Sequence, residues 1–362
     1  MVLVSVVGDF DSGILPVFYY HIEEIAVHLL VHDRKDAARA ERLQAGMRRF
    51  CEHHGYDPLL MSIPYDEDSH DAVEALARTL LRHKGSRRLL FNPTEALSST
   101  AVLLYGLLQP HGGIMVEYDR RENTLNYMQN GKIRSETVSP MRITEHLMLK
   151  NVAYERRGDM AQIHAREQAV AAMMRSSSRF SRYRKAWHNR PKNGRPQGYD
   201  DIENALEACG KFDDAAFIDG GIFEEYCYAL LKTLPFDDVE LGLRATFYPD
   251  TPQAFVNEFD ILCMKDNHLH IVECKFRNRV DGEALVYKYD SVMELIDEDA
   301  KAVLAVVGGD NVQTLRGRRI KQFSDGVKLR ARHSDIFIYH EARFDPRRFV
   351  QEVGDFLLGT ES

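Results

Sequence analysis

A predicted hairpin in the second half of the chain carries two acids and a lysine. Residues 256–276 consist of two apolar runs typical of strands, and Asp266-Asn267 between them is typical of a tight turn. In a hairpin of this length Asp260 and Glu273 can face each other across the ladder, and Lys275 leaves the same face as Glu273. Two carboxylates and a lysine at one point suit hydrolysis of a phosphodiester. The carboxylates would bind Mg²⁺ or Mn²⁺, and the lysine would orient a water molecule or stabilise the oxyanion.

The elements around this hairpin follow a recognisable order. Residues 220–231 predict the start of an amphipathic helix that carries acids, and residues 239–248 predict a strand. Residues 283–297 predict a helix after the hairpin. This order, with Glu-x-Lys in the returning strand, resembles the PD-(D/E)xK nuclease core. The alternative interpretation is a solvated strand face, where alternating charges such as Glu-x-Lys are common.

The resemblance to this nuclease core assigns roles to individual residues. It implies that Glu224 is the helix acid of the active site, with Glu225 as the fallback. The implied catalytic residues are Glu224, Asp260, Glu273 and Lys275, of which the three acids bind the metal ion. Additional candidates at the same site are Glu225, Glu258 and Lys288.

Composition limits the class of protein. The chain has 362 residues, which predicts two domains of ordinary size, and 44% hydrophobic with 28% charged residues is typical of soluble globular proteins. We find no apolar run of membrane-spanning length, and the N-terminus predicts a strand and not a signal peptide. The five cysteines are scattered without a CxxC pair, which predicts reduced thiols. We therefore expect a cytoplasmic protein with no membrane partner.

A basic segment in the middle of the chain predicts a contact with nucleic acid. The net charge of −8 disfavours phosphate binding, but residues 175–195 carry eight basic residues and no acid. Phe180, Tyr183 and Trp187 are interleaved with them, as in proteins whose rings stack on the bases of a single strand. The candidate contacts to DNA or RNA are Arg182, Arg184 and Lys185. Serine-rich and Pro/Gly-containing stretches in the segment favour a solvated linker equally well.

Residues 1–140 alternate predicted strands with predicted helices. The strands are predicted at residues 3–7, 25–31, 59–63 and 89–92, and the helices at residues 35–53, 71–83 and 97–108. Such alternation predicts a parallel, doubly wound sheet. Ligands of these sheets bind beyond the carboxyl ends of the strands, at the topological switch point.

Two loops lie at predicted strand ends in this half. Residues 8–13 follow the first strand, and residues 92–100 follow the fourth and open a helix whose first amides suit a phosphate. The candidate ligand-binding residues are Gly8, Asp9, Asp11, Ser12, Asn92, Thr94 and Ser98.

This half, joined to a nuclease core, resembles the CARF-domain nucleases of type III CRISPR systems. The residues that match their helix acid, Glu-x-Asp strand and Glu-x-Lys strand are Glu224, Glu258, Asp260, Glu273 and Lys275. The resemblance implies an α/β fold: an N-terminal Rossmann-like, doubly wound CARF domain and a C-terminal PD-(D/E)xK restriction-endonuclease-like α/β domain. It also implies a homodimer that binds a cyclic oligoadenylate, with cyclic tetra-adenylate expected, and then cleaves DNA or RNA with Mg²⁺ or Mn²⁺.

One turn departs from the family pattern Asn-x-Thr-Gly-Gly-Thr-Lys. Asn92 and Thr94 are kept, but Glu95-Ala96-Leu97-Ser98 stands where the glycines, threonine and lysine are expected. Loss of the glycines removes close backbone approach to a phosphate, and Glu95 adds a repulsive charge. We expect the ligand to be bound differently or more weakly, or to be another cyclic nucleotide. Loss of Asn92 or Asp11 is expected to weaken its binding.

We expect three regions along the chain: a sensor domain at residues 1–145, a basic helical connector at 146–215 and a nuclease domain at 216–362. Residues 143–152 have helical spacing, and we expect them to pack across a dimer interface. Two other classes stay open. One is a restriction-type DNA endonuclease that no cyclic nucleotide controls, and the other is a catalytically inactive nucleotide-sensing protein.

Overall fold

The computed structural model describes residues 1–8, 11–66, 69–94, 98–191, 194–249, 251–277, 280–308, 312–315, 318–321 and 323–359. It divides into two compact units. The first comprises Met1–Tyr154 with Thr246–Val256, and the second comprises Glu155–Ala245 with Asn257–Ser362.

Strands and helices alternate through most of the first unit. Its elements are β1 (Val2–Val7), α1 (Leu15–His21), β2 (Val27–His32), α2 (Ala37–His54), β3 (Leu59–Pro64), α3 (His70–Lys84), β4 (Leu89–Asn92), α4 (Ser98–Leu108), β5 (Gly113–Asp119), β6 (Thr124–Gln129), β7 (Lys132–Thr137) and α5 (Ile143–Leu149).

These strands form one sheet in the order β3-β2-β1-β4-β5-β6-β7. Strands β1 to β5 are parallel, and β6 and β7 add an antiparallel hairpin at one edge. β1 is buried along its whole length, and two separate hydrophobic clusters cover the two faces of the sheet. The chain leaves β1 toward β2 on one side and returns to β4 on the other, so the topological switch point lies between β1 and β4.

The remaining strands and helices form the second unit, apart from a few strand residues that belong to the first. They are β8 (Val152–Arg156), α6 (Met160–Met174), α7 (Ser177–His188), α8 (Asp200–Ala208), α9 (Ile222–Leu231), β9 (Asp238–Phe247), β10 (Phe255–Lys265), β11 (His268–Phe276), α10 (Gly282–Ile296), β12 (Ala302–Val307), β13 (Val312–Leu315), β14 (Arg318–Lys321), α11 (Asp325–His333), β15 (Ile336–Glu341) and α12 (Pro346–Leu358). The larger sheet has the order β15-β12-β11-β10-β9-β8, with β10 and β11 antiparallel and β11, β12 and β15 parallel.

The predicted α/β class of both halves is confirmed. The structure adds β5, β6 and β7, which were not predicted. Among the described helices, none has both the length and the apolar character that crossing a bilayer requires.

Two expectations about the middle of the chain are wrong. The predicted helix at residues 143–152 ends at Leu149, and Ile143, Leu147 and Leu149 are completely buried. Because these side chains are already covered, α5 is not the apolar surface expected at a dimer interface. The solvated-linker alternative also does not hold for α7, which packs Phe180, Tyr183 and Trp187 into the core of the second unit.

Candidate active site

The β10–β11 hairpin folds as its sequence predicts. Lys265 pairs with His268, and the two residues between them both have positive φ, at 50° for Asp266 and 65° for Asn267. A two-residue turn with this backbone matches the twist of the strands it joins. The ladder pairs Ile261 with Val272, and continuing this register places Asp260 opposite Glu273.

Asp260 and Glu273 share the ammonium group of Lys275. Lys275 Nζ lies 3.2 Å from Asp260 Oδ2 and also contacts Glu273 Oε1. The backbone amide of Cys274 donates to the same Oδ2 at 2.9 Å, which fixes the carboxylate against β11. Both acids are buried, at 9% and 4% exposure, so their charges interact through a medium of low polarity. The predicted convergence of these three side chains is present.

Glu224 joins this group from the first turn of α9. A π-helical turn, Phe217–Gly221, leads directly into that helix, and such turns occur often at functional sites. Burial raises the pKa of Glu224 to about 7, and the carboxylates of Asp260 and Glu273 add to the shift. The two hairpin acids are therefore near enough to act on it electrostatically.

The electrostatics of the cluster are dominated by burial and like charge. Burial, followed by the nearby Glu273 carboxylate, raises the pKa of Asp260 to about 6, although Lys275 opposes the shift. Burial alone would lower the pKa of Lys275, but Asp260 and Glu273 outweigh it and hold that pKa above its usual range. Lys275 is therefore protonated at neutral pH.

Tyr289 is a member of the cluster that the sequence analysis missed. It lies in α10, is completely buried, and its hydroxyl donates to Glu273 Oε2. Burial and the Glu273 carboxylate raise the pKa of this phenol far above its usual range, so it stays protonated and donating. The sequence does contain a pattern that indicates burial of Tyr289, because Val286, Tyr289 and Met293 have the spacing of one buried helix face.

The other acids considered from the sequence have different partners. Glu225 is buried in an ion pair with Arg166 of α6, whose Nε lies 2.8 Å from Glu225 Oε2. This contact leaves Glu224 as the helix acid of the cluster. Glu258 is about half exposed and pairs with Arg157 at 2.7 Å. The additional candidate Lys288 is exposed, and its Nζ donates to the Tyr289 hydroxyl at 3.1 Å.

The donor set fits a hard divalent cation. Asp260 and Glu273 contact one ammonium group, and Glu224 interacts with both acids electrostatically, which leaves excess negative charge in a largely buried site when all three acids are ionised. Carboxylate oxygens are the ligands that Mg²⁺ and Mn²⁺ prefer. Glu224, Asp260 and Glu273 are the residues that would hold such an ion.

Helix α7 of the basic segment contacts the end of β11. Arg184 of α7 donates to the backbone oxygen of Phe276, one residue after Lys275, and to that of Asp219 at 3.2 Å. This half-buried guanidinium is thus engaged with backbone, while Arg182 and Lys185 are exposed. The three interleaved rings are buried in the core and cannot stack on bases.

Asn92 connects the two predicted ligand loops of the first unit. Its completely buried side chain donates from Nδ2 to Gly13 O at 2.9 Å and accepts from the Thr94 amide at 3.1 Å. Gly8, Asp11 and Ser12 lie at the end of β1, next to β4. Asp9, Glu95 and the side chain of Ser98 lie outside the described residues.

The model of the Card1-like endonuclease domain matches residues 213–325, which span the whole cluster. This region is similar in sequence to Card1-like endonuclease domains. The chain matches no sequence among the curated proteins.

Two solved structures share the fold over almost the full length. Can2 from Sulfobacillus thermosulfidooxidans, solved in complex with cyclic tetra-adenylate, is 15% identical, with 98% of this chain and 99% of that chain covered and a TM-score of 0.69. Protein VC1899 from Vibrio cholerae is 13% identical, with 99% and 98% covered and a TM-score of 0.72. The resemblance to the CARF-domain CRISPR nucleases, stated from the sequence, is confirmed in the endonuclease domain and in the fold.

Proposed function

We propose that the protein is a metal-dependent nuclease of type III CRISPR antiviral defence, activated by a cyclic oligoadenylate and most simply by cyclic tetra-adenylate. The observation that carries this proposal is the buried cluster of Glu224, Asp260, Glu273 and Lys275 inside a Card1-like endonuclease domain. The fold shared with Can2, whose structure contains cyclic tetra-adenylate, supports the activator.

Glu224, Asp260 and Glu273 would hold Mg²⁺ or Mn²⁺ in a PD-(D/E)xK arrangement. The bound ion supplies the charge that orients a water molecule and stabilises the phosphate oxyanion. Tyr289 holds one oxygen of Glu273, which leaves the carboxylate in a fixed orientation for its ligand.

Lys275 would act on the phosphate directly, beside the metal ligands. The protonated Lys275 offers its ammonium hydrogens to a phosphate oxygen on the face that Asp260 and Glu273 share.

The exposed side of α7 is the proposed contact with the substrate backbone. Arg182 and Lys185 are three residues apart and therefore share one helix face. Arg184, between them in sequence, fixes α7 to the end of β11 beside Lys275. A DNA or RNA strand that reaches the cluster would pass these two cations.

The activator site is proposed at the switch point of the first sheet. Gly8 and Ser12 at the end of β1, with Thr94 after β4, would contact the ligand, while the buried Asn92 positions both loops.

A homodimer is proposed through the outer face of α4. This helix is apolar over most of its length, and an all-apolar helix is stable when its whole surface is covered. Leu104 and Leu108 are buried, but Val102 and Leu103 are 70% and 40% exposed. A second copy packed on this face would place two switch points around one symmetric cyclic ligand.

Cleavage assays with DNA and with RNA test this function. We expect cleavage that needs Mg²⁺ or Mn²⁺, stops in excess chelator and rises on addition of cyclic tetra-adenylate. Metal-dependent cleavage of DNA that no cyclic tri-, tetra- or hexa-adenylate changes would favour the restriction-type alternative. Binding of the activator without any cleavage would favour the inactive sensor.

A further inference from the structure

The end of β1 receives two basic side chains from distant parts of the sequence. Lys150, directly after α5, places its Nζ 2.5 Å from Asp11 Oδ1. Arg39 of α2 donates from Nη1 to Gly8 O at 3.2 Å. Gly8 and Asp11, on the two sides of residues 9–10, are therefore each in contact with a basic side chain.

We infer that Lys150 is a phosphate-binding residue of the activator site and that Asp11 occupies its ammonium group until the activator arrives. This inference rests on the proposed function and names one contact within it. An activator phosphate would bind the Lys150 ammonium group only by displacing the Asp11 carboxylate. Asp11 is therefore expected to weaken activator binding.

Because the Lys150 and Asp11 side chains are largely buried, the anion that pairs with Lys150 matters for both stability and activator binding. The side chains of Lys150 and Asp11 are only 6% and 14% exposed. A charge in such surroundings requires a counter-charge nearby, because water no longer solvates it. In the free protein Asp11 provides that charge. A phosphodiester of the activator carries the same charge, is repelled by the carboxylate and binds the same donor, so the two anions compete for Lys150.

The location of the pair fits a ligand contact. The hydrogen bond from Asn92 to Gly13 ties the loop after β1 to the end of β4. Asp11, two residues before Gly13, is therefore held at the crevice where sheets of this topology bind ligands. Lys150 reaches this crevice from α5, which packs against α2, the helix that carries Arg39.

Binding of cyclic tetra-adenylate by Lys150→Met tests the inference, with calorimetry as the readout. A hydrogen bond to a charged group is involved, so we expect binding about 10–100-fold weaker than wild type. Lys132→Met, which removes an exposed lysine of β7, is the matched control and should bind as wild type does. Lys150→Arg keeps the charge and should retain more of the affinity than Lys150→Met.

Asp11→Asn tests the displacement. Without ligand, this variant should melt at a lower temperature than wild type, because Lys150 loses its counter-charge. With cyclic tetra-adenylate it should bind several-fold more tightly, so that the ligand raises its Tm by more than it raises that of wild type. A direct contact between Asp11 and the ligand predicts the opposite, namely weaker binding.

The outcomes separate this inference from the proposed function. Failure of wild type to bind any cyclic oligoadenylate would overturn the proposed function itself. Wild-type binding that is equally tight in Lys150→Met would overturn only the role of Lys150. If Lys150→Met does not fold, Asp11→Asn decides: tighter binding supports the inference, and unchanged or weaker binding overturns it.

Discussion

Lys275 Nζ lies 3.2 Å from Asp260 Oδ2 on the neighbouring strand and contacts Glu273 on its own strand at the same time. One ammonium group is thus shared by two buried carboxylates, and Glu224 is near enough for both acids to raise its pKa. One lysine cannot neutralise three acids. The cluster therefore has the charge of a cation site, and the following predictions test how it works.

Tyr289 should act as a positioning residue for Glu273. Tyr289→Phe removes the hydroxyl that donates to Glu273 Oε2 but keeps the ring in the core. Loss of a partner that orients a metal ligand typically costs about 10–100-fold in metal affinity or activity, and we expect a value in this range for Mg²⁺. Metal titration of the cleavage rate measures it. Tyr287→Phe, on an exposed tyrosine of the same helix, is the control. Equal metal dependence in the two variants would contradict the role.

The free energy of unfolding of the metal-free protein should depend on pH because of Glu224 and Asp260. Their pKa values of about 7 and 6 lie above the ordinary values of 4.5 and 3.8. The folded protein thus holds protons that the unfolded chain has lost. The stabilising contribution of each acid is complete below its ordinary pKa and is lost as pH rises through the raised value.

The difference between wild type and Glu224→Gln isolates this effect. Buried His21, His28 and His270 have lowered pKa values and change the stability in the opposite direction, but they do so in both proteins. Urea unfolding in excess chelator at pH 5 and pH 8 should show that the variant gains stability relative to wild type at the higher pH. Added Mg²⁺ should reduce this gain. An identical pH dependence in both proteins would contradict the raised pKa of Glu224.

The exposed cations of α7 should contribute to binding and not to folding. Replacing Arg182 and Lys185 by Ala should weaken DNA or RNA binding for every sequence, and the slope of log K against log salt should fall by about one per lost phosphate contact. Lys328→Ala with Arg347→Ala removes two exposed charges elsewhere in the second unit and is the control. An unchanged slope would remove α7 from the substrate path.

The outer face of α4 should determine the oligomeric state. Val102→Asp with Leu103→Asp places charges where the proposed second copy packs, so the variant should sediment as a monomer at concentrations where wild type is a dimer. Ile133→Asp changes an exposed apolar residue of β7 in the same unit and should leave the dimer intact. A dimer in both variants would place the interface elsewhere.

Local signals in the sequence were sufficient for the hairpin and its acids. Alternation, the Asp266-Asn267 turn and the two-residue spacing of Glu273 and Lys275 depend only on neighbours in the chain, so they predict the register that the structure shows. The alternation of strands and helices similarly predicted a parallel sheet in the first unit, because a helix between two strands lets both strands run in the same direction.

Contacts between distant residues could not be predicted in the same way. The basic pattern of residues 175–195 is compatible with a linker or a binding segment, and only packing shows that α7 buries its rings in the core. The choice of Glu224 over Glu225 depends on Arg166, 59 positions away from Glu225. The pairing of Lys150 with Asp11 spans 139 positions and leaves no local signal.

The most direct measurement is the initial rate of nucleic-acid cleavage in Mg²⁺, with and without saturating cyclic tetra-adenylate, for wild type, Asp260→Asn and Glu273→Gln. A coupling of about 1–3 kcal/mol between activator and catalytic site corresponds to roughly a 5–150-fold change, so wild-type cleavage should rise within this range. Both variants should bind the activator as wild type does and show only background cleavage. Cleavage that is unchanged by the activator, or that persists in either variant, would contradict a gated nuclease centred on these acids.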